Sequence, residues 1–465
     1  MPAGLIIACT AAVGFAAAFA AEHIKNRRLS VAAEKLRFVD GMTGLYTRDG
    51  FLKEGAEQLE RFRAAGSGVA LVVFDIDALG KINTLFGTEV GDSVVAGFAR
   101  AVSVAADGYV CGRVDTDDFA VLIECGGKAD VQRFIEQFED KLNDVFKETA
   151  VMDQVGYFAG VAFFDGQDDI HTLYNKANLC VIMPEGGKLT YFNRDLENRM
   201  VENEFLRAEM LTAIAEGQFE LYYQPKVSFK TGDVMGLEAL IRWNHPIKGF
   251  VPPCDFIPLA EQTGIITKID EWGLRTACRQ CKKWQDDGLP PVKVSVNMSQ
   301  AQFYCTDVLT TIKNVLEETG LDPKWLEIEV TETMAMKDIE RTVNVLSRIR
   351  GMGVSISMDD FGSGYSSLSS LKTIPLDILK IDRSLVCDLD ESSTSKSITE
   401  AIVDLGKAMK LIVLAEGVET DGQIRFLTEI GCDLAQGYYY SKPRSVEEIT
   451  AFLMLPKSAR IKSSH

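Results

Sequence analysis

The chain has 465 residues, a hydrophobic fraction of 46% and a net charge of −18 from 49 basic and 67 acidic side chains. That length allows two or three domains, and that hydrophobic content belongs to a folded globular protein. The acidity argues against a nucleic-acid polymer as partner, because such binding is driven by phosphate neutralisation, and it suits cation binding. Ten cysteines show no disulfide framework; the pair Cys278 and Cys281 lies on an amphipathic helix, Thr276 to Trp284, and lacks the further ligands a zinc site needs.

Residues Pro2 to Ala21 carry no charge, and His23, Lys25, Arg27 and Arg28 come directly after them. Twenty apolar residues in a helix span about 30 Å, a bilayer core. Basic residues after the run place the remainder of the chain in the cytoplasm. The expectation is a single-pass anchor, residues 2–21, in the inner membrane of a bacterium, with both domains cytoplasmic. A cleaved signal peptide is the alternative, suggested by small residues near Ala21, but its basic residues belong before the apolar run. A short helical stalk, 22–38, is expected next and offers a surface for pairing with a second chain as a homodimer.

From 39 to 193, strand and helix patterns alternate in one α/β domain. Strands are expected at Val69–Phe74, Tyr109–Arg113, Phe119–Glu124 and Gly156–Phe164. Helices are expected at Ser93–Ala105, Val131–Phe146 and Ile170–Met183. Asp40-Gly-Met-Thr-Gly-Leu-Tyr-Thr-Arg48, Phe74-Asp-Ile-Asp77, Ile82-Asn83 and Gly91-Asp92 resemble the opening motifs of a GGDEF (diguanylate cyclase) domain. The resemblance implies that Asp75 is a metal ligand and that Asn83 and Asp92 contact guanine. The signature has decayed to Asp115-Thr116-Asp117-Asp118-Phe119. Two glycines would let a hairpin approach a triphosphate closely; Asp115 and Thr116 add side chains there, and Asp115 adds a negative charge. Glu185 stands where the family has a phosphate-binding lysine, and Ala106 and Tyr109 stand where its inhibitory Arg and Asp would be. This reads as a cyclase-dead domain. It either binds GTP, using Asp75 and Asp117 toward a metal, or serves only in structure and dimerisation.

Residues 194–216 are strongly helical and read as a connector. From 217 to 455 eight strands are expected: Phe219–Gln224, Val234–Ile241, Val292–Asn297, Leu326–Thr331, Val354–Asp359, Ile378–Ile381, Ile412–Glu416 and Ala435–Tyr438. Helices fall between most of them, which predicts a C-terminal (β/α)8 TIM-type barrel, then a tail at 456–465. In such barrels chemistry gathers at the C-terminal strand ends. Those ends carry Gln224; Glu238 with Arg242; Asn297; Glu329 with Glu332; Asp359 with Asp360; Lys380 with Asp382; Glu416 with Glu419; and Gln436. Met358-Asp359-Asp360-Phe361-Gly362 alone is equally a solvated turn. The whole rim, rich in oxygen ligands and free of histidine or thiol clusters, suits two Mg2+ or Mn2+ ions.

This half is similar to EAL-domain cyclic-di-GMP phosphodiesterases. The similarity rests on Tyr223-Gln-Pro225, Glu238-Ala-Leu-Ile-Arg-Trp-Asn-His-Pro246, Phe256-Ile-Pro-Leu-Ala-Glu261, Val296-Asn-Met-Ser299, Glu329-Val-Thr-Glu332, Asp359-Asp-Phe-Gly-Ser-Gly-Tyr-Ser-Ser-Leu368, Leu379-Lys-Ile-Asp382, Ala415-Glu-Gly-Val-Glu419 and Gln436-Gly-Tyr-Tyr-Tyr-Ser-Lys-Pro443. It implies that Glu238, Asn297, Glu329 and Asp359 hold one metal and that Asp359, Asp360 and Glu416 approach the second. It also implies that Lys380 orients the attacking water, Glu332 braces the Asp-Asp loop and Gln436 supports the water network. Gln224, Arg242, Asp382 and Glu419 fall to the substrate, Arg242 at a phosphate. Ser363 replaces the usual threonine and keeps its hydroxyl. The expected reaction is hydrolysis of cyclic di-GMP to linear pGpG. The alternatives are a receptor or scaffold that binds cyclic di-GMP without cleaving it, and a bifunctional cyclase–phosphodiesterase, which Asp115 and Thr116 argue against.

Overall fold

Strand β1, Val69–Asp77, is buried along nearly its whole length. A strand buried on both faces needs cover on both. Alternate residues supply it: Ala70, Val72, Phe74 and Ile76 enter one core, and Val69, Leu71 and Val73 enter another. Helices Thr88–Ala105 and Lys128–Phe146 close the first side, where Phe74 packs against Phe98 and Phe138. Helices Arg48–Ala65 and Ile170–Ile182 close the second.

The computed structural model describes residues 37–147, 149, 155–184, 187–305, 307–362 and 371–455. The apolar run 2–21, most of the stalk, Glu185, Ser363 with the rest of its loop to 370, and the tail 456–465 lie outside the described residues. Among the described residues no helix is long and apolar enough to cross a membrane. The chain divides into two units, Met1–Val201 and Glu202–His465.

In the first unit, β2 (Val110–Arg113), β3 (Asp118–Glu124), β4 (Gly156–Phe163) and β5 (Leu189–Tyr191) join β1 in the order β2-β3-β1-β4-β5. Neighbours run antiparallel except β4 and β5. The expected strands are present. Strand β5 and the helices Arg48–Ala65 and Leu79–Phe86 were not anticipated.

The second unit is a closed barrel. Its strands are β6 (Phe219–Ser228), β7 (Val234–His245), β9 (Lys293–Asn297), β10 (Leu326–Thr331), β11 (Ser355–Phe361), β12 (Ile378–Ile381), β13 (Ile412–Ala415) and β14 (Leu434–Ala435); β8 (Gly249–Val251) is a hairpin partner of β7 outside the ring. The order β6-β14-β13-β12-β11-β10-β9-β7 closes through β6 pairing with β7. One feature of the expected (β/α)8 barrel is corrected. Strand β6 runs antiparallel to both its neighbours, while the other seven ring strands are mutually parallel. The cause is chain length: only Phe229–Asp233, five residues, separate β6 from β7. A parallel crossover needs a dozen or more, so a hairpin is the only closure. A helix spans Arg194–Ala215, and its residues Leu206, Met210 and Ala213 pack with Phe219, Trp243 and Phe256.

Candidate active site

The two adjacent aspartates on β11 reach one site because the strand is irregular. The register between β11 and β12 slips between Met358 and Phe361, and Asp360 adopts φ +56°. Aspartate tolerates that left-handed region better than most residues. The expectation of a strand end is thereby refined, since β11 continues to Phe361. The bulge, not the strand's end, turns both carboxylates inward.

Two groups of carboxylates result, Glu238 with Glu329 and Asp359, and Asp359 with Asp360 and Glu416; within each, ligand oxygens lie within 4.8 Å of one another. Asp359 belongs to both. Glu238 lies inside β7 rather than at its end, opposite Gln224 of β6, because both hairpin strands run on past the ring. Asn297 ends β9, and its Nδ2 donates to Glu238 Oε1 at 2.8 Å. Gln436 Nε2 donates to Gln224 Oε1 at 3.0 Å and to Glu238 Oε2 at 2.5 Å. Gln436 follows the two-residue strand β14, shorter than expected, and the chain turns at once. Gly437 is required there, since a Cβ would lie 2.2 Å from Val418 O.

Lys380 stands at the centre. It is fully buried, with its Nζ 2.5 Å from Glu329 Oε2, 2.5 Å from Glu416, 3.0 Å from Asp359 and 3.7 Å from Glu238. Burial opposes its charge, but these four carboxylates overcome that and hold its pKa well above the usual value. The carboxylates respond unequally. Burial pushes Glu416 up to about 8 despite Lys380. Burial and then Asp359 push Asp360 up to about 6. Burial also raises Glu238, with Glu329 adding repulsion. Glu329 goes the other way: burial opposes its charge, but Lys226 and Lys380 hold it at about 2.

The site's charge can be counted. With all five carboxylates ionised, as bound cations would favour, one ammonium leaves four negative charges, which two divalent ions would balance. Gln436 Oε1 is buried and orphaned among the described residues, an acceptor in reserve. An all-oxygen set with one shared aspartate fits Mg2+ or Mn2+ rather than zinc.

Around this cluster, Glu332 Oε2 accepts from Gly362 N at 3.0 Å. Asp382 caps the helix Arg383–Cys387 through Ser384 N at 2.9 Å and adds negative charge beside Asp360. Glu419 pairs with exposed Arg383 at 2.9 Å. Arg242 lies over the Tyr222 ring and donates to Ile241 O. Beside the cluster is a cavity of about 320 Å³ lined by Arg242, Ile257, Asp270, Asn297 and Thr331.

Family models match residues 207–443 (EAL domain) and residues 37–182 (Diguanylate cyclase, GGDEF domain). The chain belongs to the EAL domain family. Its EAL domain follows a GGDEF domain in tandem. Cyclic di-GMP phosphodiesterase NbdA of Pseudomonas aeruginosa is 33% identical over 475 residues, 97% of this chain and 60% of that protein. Bifunctional diguanylate cyclase/cyclic di-GMP phosphodiesterase MucR of the same organism is 34% identical over 388 residues, 82% of this chain and 56% of that protein. The chain thus spans less than two thirds of these relatives' own length. The solved structure "PaMucR Phosphodiesterase, c-di-GMP complex" superposes with a TM-score of 0.52 at 42% identity, over 53% of this chain and 99% of that one.

The GGDEF domain holds a third acidic group, Asp75, Asp117 and Asp118. Asp118 opens β3 directly opposite Asp75 of β1. Burial, then Asp75, pushes the Asp118 carboxyl up to about 7; burial, then Asp117, raises Asp75 as well. The altered signature forms a turn in which Thr116 N donates to Asp115 Oδ1, and Arg113 donates back to Thr116 O. Asn83 packs on the helix that bears Asp92: a Cβ on Gly91 would lie 1.7 Å from Asn83 Oδ1.

Three residues escaped the sequence reading. Lys226 and Glu327 form buried pairs beneath Glu329, and Asp270 lines the cavity, its Oδ2 accepting from Ser299 N at 3.1 Å. Burial pushes Asp270 up to about 6. Strand alternation was the available signal for two of them, since Lys226 lies two residues from Gln224 and Glu327 two from Glu329.

Proposed function

We propose that the chain is a metal-dependent phosphodiesterase that hydrolyses one phosphodiester bond of cyclic di-GMP to give linear pGpG. The carrying observation is the buried ring of Glu238, Glu329, Asp359 and Glu416 around Lys380, with Asp359 shared between both carboxylate groups. It is supported by relatives whose names state that activity and by a structural neighbour in complex with cyclic di-GMP.

Glu238, Asn297, Glu329 and Asp359 would hold one ion, and Asp359, Asp360 and Glu416 the other. Bound there, the ions would supply a water of lowered pKa and would stabilise charge on the phosphoryl oxygens. Lys380 keeps a positive charge beside the shared aspartate, where it orients the attacking water. Gln436 and Asn297 fix both oxygens of Glu238. Glu332 ties down the backbone after Asp360 through Gly362 N. Gln224, Arg242, Asp382 and Glu419 are assigned to the substrate, with Arg242 meeting a phosphate and the adjoining cavity taking a base.

The GGDEF domain is assigned a regulatory role, by GTP binding or by dimerisation, without cyclase activity. Residues 2–21 are assigned to a single-pass anchor in the bacterial inner membrane with both domains cytoplasmic, and the chain to a homodimer. The decisive test incubates the full chain with cyclic di-GMP and Mn2+ and identifies the product. Release of pGpG supports the reading, and tight binding without product contradicts it. A parallel incubation with GTP and Mg2+ should give no cyclic di-GMP.

A further inference from the structure

Beneath the carboxylate ring the barrel interior is split in two. On one side the inward positions two residues before Lys380, Glu416 and Gln436 are Ile378, Leu414 and Leu434, which pack into an apolar cluster. On the other, the positions two before Asn297, Glu329 and Asp359 are Ser295, Glu327 and Ser357, all buried, with Lys226 among them. Lys226 is 2% exposed, and its Nζ donates to Glu327 Oε1 at 2.7 Å and to Glu329 Oε1 at 2.6 Å. Gly236 stands opposite Lys226 on β7, where a Cβ would come within 3.7 Å of the lysine's Cδ and 3.3 Å of Lys293 O. Burying an ammonium and a carboxylate costs several kcal/mol per ion on the order-of-magnitude scale, and apolar residues fill the opposite side of the same layer without that cost.

The geometry shows what the buried pair does. Glu329 has one lysine on each oxygen, Lys226 on Oε1 and Lys380 on Oε2. Lys380 is shared with three other carboxylates, whereas Lys226 bonds only Glu327 and Glu329 among the described residues. Resting on the assignment of Glu329 as a metal ligand, we propose that Lys226, its charge balanced by Glu327, is a positioning residue. It fixes Glu329 Oε1, so that Oε2 alone faces the cation and the carboxylate arrives oriented. Groups that orient a ligand in this way typically contribute about 10–100-fold to metal affinity.

The test removes the clamp without leaving a lone buried charge. Lys226→Met combined with Glu327→Gln, made in the full chain, is stripped with chelator and titrated with Mn2+ while free Mn2+ is followed by electron paramagnetic resonance. The expected result is Mn2+ affinity about tenfold or more weaker than wild type, a lower kcat, and a KM for cyclic di-GMP within about twofold. Unchanged Mn2+ affinity in the folded double variant overturns the proposal. Wild-type chain that binds no Mn2+ overturns the metal assignment itself, so the two failures are distinct. If the double variant does not fold, a crystal structure of the Mn2+-loaded wild type decides. Lys226 on Oε1 with Mn2+ on Oε2 alone supports the clamp; both Glu329 oxygens on the ion, with Lys226 displaced, overturns it.

Discussion

The two domains each gather carboxylates on neighbouring strands, and they relieve the repulsion differently. In the EAL domain Lys380 sits among the acids at 2.5–3.7 Å and Lys226 supports Glu329 from below. In the GGDEF domain no lysine or arginine pairs with Asp75, Asp117 or Asp118 among the described residues, and Asp118 is pushed up to about 7 by burial and Asp75. In the first cluster the two lysines hold Glu329 down at about 2, while burial still pushes Glu416 up to about 8 and Asp360 up to about 6. In the second no cation is built in among the described residues, and burial with mutual repulsion raises both Asp118 and Asp75. Similar residues on similar strands therefore differ in one physical respect, the built-in cation.

The largest expected effect comes from the shared ligand. Asp359→Asn, which keeps the side chain's shape, should lower kcat for cyclic di-GMP by at least about 10³-fold while circular dichroism stays native, because both carboxylate groups lose charge at once. A variant with more than a tenth of wild-type turnover would break the proposal that the cluster around Lys380 is the catalytic one.

Removing the internal cation tests the contrast from the other side. Lys380→Met should lower kcat by about 10²-fold and lower the melting temperature in chelator, where four carboxylates lose their partner. Added Mn2+ should restore much of the melting temperature and little of the activity. Equal melting temperatures for variant and wild type in chelator would show that Lys380 does not organise the cluster.

The smallest effect is in the GGDEF domain. The folded Asp118 carboxyl titrates at about 7, above its ordinary 3.8, so between those values the folded chain keeps a proton that the unfolded chain has lost. Its contribution to stability is therefore present at low pH, declines as pH rises from about 4 to about 7, and stays lost above that. Asp118→Asn should flatten that decline and raise the domain's melting temperature at pH 8 by roughly a few degrees, read by calorimetry in chelator. A lower melting temperature for the variant at pH 8 would mean that the acidic group is not under strain.

Much of this was readable from strand patterning. All eight ring strands overlap the expected segments, although β14 does so by one residue, and the barrel brings the five acids together even where, as at Glu238, the residue lies inside its strand rather than at the end. The losses have physical causes. The antiparallel β6 was encoded in the short gap Phe229–Asp233, a length signal outweighed by the expectation of a uniform barrel. The bulge at Asp360 needs a left-handed residue that carries no glycine signature. Lys226 and Glu327 lie inside apolar-looking strands, and only the packed barrel shows that their charges meet across 101 residues of sequence. Asp118 differs from the family's glutamate by one methylene, and only pairing with Asp75 reveals what the shorter arm does.

A cation-dependent phosphodiesterase centre organised on Asp359 is the central claim. The most direct measurement counts Mn2+ bound per full chain after chelator removal and monitors conversion of cyclic di-GMP to pGpG in the same titration, for wild type and Asp359→Asn. Two ions per wild-type EAL domain are predicted, with turnover rising as they bind and abolished by chelator, and weakened binding without turnover in the variant. Turnover that persists in chelator, or full Mn2+ binding by Asp359→Asn, would contradict it.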